Sequence, residues 1–151
     1  MKRRFFPCLL QCLIGVFVVG CLDFGNDTEI LAPKVTAEHI QLVSDLTGIQ
    51  FPEGSTGLAY LYLGSGIDDA LAAKIAIPQS EKDAFLQNAV FQTGSTEAPS
   101  IQMGKSKAWW KLDALADRVD RTLKLPQGRF VACTIGMEDG KLVAYISWVT
   151  T

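Results

Sequence analysis

Histidine is nearly absent from this chain of 151 residues: His39 is the only one. Ser-His-Asp and Cys-His chemistries both need a histidine beside the nucleophile. His39 sits early in a polar helix start and is expected to be a solvated helix residue. The sequence offers no partner for it. There is no G-x-S-x-G, S-x-x-K, H-E-x-x-H or C-x-x-C. Gly54-Ser-Thr-Gly57 and Gly64-Ser-Gly66 do not lead into Gly-Lys-Ser/Thr, so neither reads as a phosphate loop. No cofactor motif and no calcium-loop spacing of acids is present. Long basic runs are also missing. The only like-charged run of three is Lys2-Arg3-Arg4, and a mildly acidic chain without a basic stripe is a poor nucleic-acid binder.

What is there begins with the first 21 residues, MKRRFFPCLLQCLIGVFVVGC. A basic cluster precedes a mostly apolar stretch from Phe5 to Val19, followed by Gly20 and Cys21, which is the layout of a secretory signal. The positive cluster stays on the cytoplasmic side while the apolar stretch enters the bilayer. Val18-Val19-Gly20-Cys21 resembles the lipobox of bacterial lipoprotein precursors. That resemblance implies a diacylglyceryl group on the Cys21 thiol, cleavage before Cys21, and acylation of the new amine. Each buried methylene contributes about 0.8 kcal/mol, so two or three acyl chains hold firmly. The resemblance further implies a domain on the extracytoplasmic side of the cell membrane or outer membrane. Leu22 rather than Asp after the cysteine tilts it toward the outer membrane.

Removing the leader would also remove Lys2, Arg3 and Arg4, leaving 11 basic residues of the 14 against 16 acidic ones, a net of −5. Of the four cysteines, Cys8 and Cys12 would go with the leader and Cys21 would carry lipid. Cys133 would then be left alone in the apolar run Phe130-Val-Ala-Cys-Thr-Ile135. It is expected to be a small buried hydrophobe.

The chain divides into a signal peptide at 1–20, a lipidated tether at 21–34 and a single α+β domain at 35–151. About 115 residues can bury roughly two-thirds of their unfolded surface. Thr36 caps a predicted helix running to Thr47, with Ile40, Val43 and Leu46 at helical spacing and Gly48 after its end. Leu58 to Leu63 and Leu71 to Ile77 read as strands. Ser80 with Asp83 resembles a capping box opening a second helix. Leu112, Leu115, Ala116 and Val119 predict a third. Arg129–Gly136 and Lys141–Val149 form a hairpin. With Asp139-Gly140 as a type I′ turn, Val131, Cys133 and Ile135 face Trp148, Ile146 and Ala144. This order predicts a four-stranded, mainly antiparallel sheet with two or three helices packed on one face. The segment Gly48…Phe51-Pro52…Gly54-Ser55…Gly66-Ile67-Asp68…Ala73-Lys74-Ile75…Ile77-Pro78…Phe85 resembles small domains of bacterial lipoproteins and membrane proteins that carry no assigned activity.

Asp68-Asp69 and Glu138-Asp139 are acid pairs, and both fall at predicted turns, where Asp satisfies its own backbone. Trp109-Trp110 is the sharpest remaining feature. In a regular element adjacent side chains diverge, so one ring is expected to pack. The other is expected to be exposed toward a cell-wall glycan or an envelope protein. The preferred reading is an anchored binding or structural module of the cell envelope, without catalysis. A periplasmic inhibitor or immunity-type lipoprotein occluding a basic enzyme's cleft is the alternative. A hydrolase would need Asp68, Asp69 or Glu138 brought together in a pocket.

Overall fold

The computed structural model describes residues 27–64, 68–97 and 102–151. The leader, Cys21, Gly66 and Ile67 lie outside them. The architecture is α+β, with a six-stranded antiparallel sheet. In chain order the elements are β1 (Thr28–Leu31), α1 (Ala37–Thr47), β2 (Thr56–Leu63), β3 (Ala70–Ile77), α2 (Lys82–Phe85), α3 (Ala89–Thr93), β4 (Ala116–Lys124), β5 (Arg129–Glu138) and β6 (Lys141–Thr150). The spatial order is β1-β2-β3-β6-β5-β4.

The C-terminal hairpin follows the sequence reading residue for residue. Val131 pairs with Trp148, Cys133 with Ile146 and Ile135 with Ala144. Asp139 and Gly140 take φ of +49° and +75°, as the tight turn requires. All six paired side chains are buried in the main core, together with Leu71, Ala73 and Ile75 of β3. The helices cover this face through Val43, Phe85, Val90 and Phe91.

Two of the six strands were not expected. Leu112, Leu115, Ala116 and Val119 do not form a helix. A 3-10 turn at Leu112–Ala114 leads instead into β4. The helical spacing is produced by a β-bulge between Ala116 and Val119, with Asp117 at φ +51°. Beyond it Val119 and Leu123 alternate onto the core. Gly136 makes the bulge possible, because a Cβ there would lie 2.8 Å from the Ala116 carbonyl oxygen. The other unexpected strand is β1, inside the segment read as tether. It is only four residues long and offers one core-facing side chain, Ile30, too little to show a period.

The second helix is also shorter than expected. A 3-10 turn at Gln79–Glu81 runs into α2, and no side chain caps either. Asn88 then separates α2 from α3. Its buried amide accepts from the Gln50 N–H at 2.7 Å and donates to the Gln50 and Phe85 carbonyls at 3.0 and 2.8 Å. At the start of α1, His39 occupies the slot where a capping box usually has Glu or Gln. The Thr36 N–H donates to its Nδ1 at 3.1 Å, and its ring lies 5.0 Å from that of Tyr60. His39 is therefore a half-buried cap rather than a solvated residue.

The second face of the sheet is covered by the loop that precedes β4. Leu112, Val143 and Tyr145 form a small second core there, with Leu58, Trp110 and Leu115 against it. The Met103 N–H donates to Ser147 Oγ at 3.1 Å. With both faces covered, β6 is buried from Leu142 to Val149 rather than alternately.

Candidate functional site

The loop-covered face carries the polar groups that chemistry would require. Lys74 of β3, Tyr145 of β6, Thr134 of β5 and Asp120 of β4 stand opposite one another in one row across four strands. Lys74 Nζ lies 2.9 Å from the Glu138 carboxylate, and their side chains are only 13% and 10% exposed. The Tyr145 hydroxyl donates to Glu138 Oε2 at 2.7 Å. Further along, Thr134 Oγ donates to Asp120 at 2.6 Å, and Arg118 Nε donates to both Asp120 oxygens at 2.9 and 2.7 Å.

The buried Lys-Glu-Tyr cluster shifts the titration of Glu138 and Tyr145 in opposite directions. Burial pushes the Tyr145 phenol far up, and the Glu138 carboxylate it bonds pushes it further. Burial also acts to raise Glu138. The hydrogen bonds from Lys74 and Tyr145, with the charges of Lys74 and Lys111, outweigh that and hold the carboxyl below its ordinary 4.5. In the structure these side chains hydrogen-bond one another beneath the loop.

That bonding has a measurable consequence. Lys74→Met should leave a nearly buried carboxylate without its cation and cost about 2–3 kcal/mol, somewhat below the range for a fully buried pair. Urea unfolding should show this loss, and adding Glu138→Gln should recover most of it. Because the folded-state pKa of Glu138 is depressed, its contribution is present above pH 4.5 and is lost as pH falls through the folded value. Stability of the wild type should therefore drop more steeply below pH 4.5 than that of Glu138→Gln.

The tryptophan pair does not divide into one packed and one exposed ring. Residues 109–110 lie in irregular backbone, where successive side chains converge, and both indoles are half-buried. The Trp109 indole N–H donates to Glu29 Oε1 at 2.9 Å, while Lys107 Nζ sits 2.6 Å from Oε2. These bonds hold the Glu29 carboxyl below its usual range and tie the loop to β1. The Trp110 ring meets Trp109 edge-on at 5.6 Å and Tyr145 edge-on at 5.2 Å. It packs on Gly104, where a Cβ would collide with the indole. Its N–H is buried and makes no hydrogen bond among the described residues. Beside it opens a cleft of about 370 Å³ lined by Gln102, Lys105, Leu112, Asp113 and Arg118.

The acid pairs do not meet. Asp69 precedes Ala70, which pairs with Val149, whereas Glu138 pairs with Lys141 at the other end of β6. At about 3.3 Å per residue the two lie on the order of 25 Å apart along the strands. That exceeds any spacing at which two carboxylates share a reacting atom. Asp69 accepts from the Tyr62 hydroxyl at 2.8 Å, and its N–H donates to Thr150 Oγ at 2.9 Å. Asp68 is exposed. Cys133 is fully buried, and that burial, with the charge of Asp120, drives its thiol strongly up. It behaves as the small hydrophobe the sequence suggested.

Sequence reasoning missed Glu29, Lys107, Lys74 and Tyr145. Lys74 was the one legible signal, a lone cation within the apolar strand ALAAKIAI that needs an acid once both faces are covered. Among the described residues no helix is long and apolar enough to cross a membrane. No protein-family model, curated protein or solved structure matches the chain.

Proposed function

We propose that this protein is a cell-envelope lipoprotein, held in a membrane by acylated Cys21 with its domain on the extracytoplasmic side. In this reading the domain is a non-catalytic binding or structural module. The observation that carries it is the ending Val18-Val19-Gly20-Cys21 behind Lys2-Arg3-Arg4 and an apolar stretch. A binding role is supported by how the polar groups are used. Glu138, Glu29 and Asp69 each hold the fold together through Lys74 and Tyr145, Lys107 and Trp109, or Tyr62. The cleft beside Trp110 combines an indole with amide, carboxylate and guanidinium groups, the set that a wall glycan or an envelope protein engages. Intact mass of the protein recovered from membranes tests the anchor. The expected mass begins at Cys21 and carries two or three acyl chains. A mature end at any other residue, or an unmodified Cys21, would overturn the reading.

A further inference from the structure

We propose that one end of the sheet faces the bilayer: the end formed by the start of β1, the β4–β5 turn and the last residues of β6. The proposal rests on the lipid anchor at Cys21 and concerns how the domain is held above it. β1 is not part of a free tether but a strand, and it runs from Thr28 opposite Tyr62 to Leu31 opposite Ala59. Its first residue therefore stands in the row of Tyr62, Leu71, Trp148, Val131 and Leu123, one residue short of the row of Leu63, Ala70, Val149, Phe130 and Lys124. The Glu29 clamp to Lys107 and Trp109 fixes β1 to the domain from the other side.

Only residues 22–27 separate Cys21 from Thr28. Fully extended, those seven steps reach about 25 Å. Along β6 the opposite end of the sheet, at Lys141, lies on the order of 30 Å from Thr151. For the domain to turn over, Thr28 would have to rise nearly the whole length of the sheet above the headgroups. The connecting chain would then be fully stretched, a state of very low entropy. The bilayer therefore meets the Thr28 end. The Asp139-Gly140 hairpin points away, with the nearby cleft of about 420 Å³ bordered by Gly54, Pro78, Gly140 and Lys141.

Energy transfer to the membrane surface tests this. Thr151→Cys and Lys141→Cys place an exposed thiol near either end of β6. Buried Cys133 does not compete for the dye. Lipidated full-length protein, its anchor verified by intact mass, is labelled and reconstituted into vesicles of phosphatidylcholine and phosphatidylglycerol bearing a headgroup acceptor. Transfer should be several-fold stronger from position 151 than from 141. A long Gly/Ser insertion between Leu22 and Asp27 should erase most of that difference. Equal or reversed transfer with the native spacing would overturn the orientation while leaving the anchor intact. Absence of lipid in the mass spectrum would remove the anchor, and the orientation with it.

Discussion

Trp148→Ala should lower the unfolding free energy by about 3–5 kcal/mol, the range for large aromatics in well-packed cores. Trp148 is 3% exposed and lies on β6, between β3 and β5. It stands directly between Leu71 and Val131, so both partners would line the space left behind. Neighbouring strands are themselves hydrogen-bonded on their far sides and cannot collapse into the gap. Its indole N–H makes no hydrogen bond among the described residues, so Trp148→Phe discards a buried donor that contributes nothing. That substitution should cost clearly less than Trp148→Ala, because the smaller ring leaves a smaller cavity. Urea midpoints for the two variants measure both. A near-neutral Trp148→Ala would be incompatible with this register, because a slip of one residue exchanges the faces of the strand.

The second large effect concerns Cys21. Serine keeps the size of the side chain and removes the thiol that would attack the lipid donor, and the thiolate is the nucleophile in such reactions. Cys21→Ser should abolish incorporation of a fatty-acid analogue. In precursors with a lipobox, cleavage follows lipidation, so the leader should stay on as well. Fractionation alone is a poor readout, since an uncut apolar leader can hold the protein in the membrane. Cys8→Ser and Cys12→Ser are the controls. Both lie before the proposed cleavage point and should leave the mature mass unchanged. Undiminished labelling of Cys21→Ser would place the lipid elsewhere.

Legibility in the sequence followed how local each determinant was. The β5–β6 hairpin was readable to the residue because its turn and its alternation lie within twenty-two residues, from Arg129 to Thr150. α1 was readable from Thr36 and Gly48, although the capping partner turned out to be His39. β4 was misread because a bulge resets its alternation, and the cause of that bulge lies on another strand, at Gly136. β1 exists only because β2 offers it an edge. The candidate site was least legible. Glu29 and Trp109 are eighty positions apart and meet only after the loop has crossed the sheet. No local pattern encodes such a contact.

The strand order also sets a schedule. Among the described strands β6 comes last in the chain yet lies at the centre of the sheet, where it joins the β1-β2-β3 half to the β5-β4 half. Until it has been synthesised, β3 and β5 each present an unpaired inner edge and the main core lacks Ala144, Ile146 and Trp148. The β3–β6 pairing joins segments distant in sequence, and such pairings close slowly. For a protein proposed to be threaded through a membrane before it folds, that delay is useful.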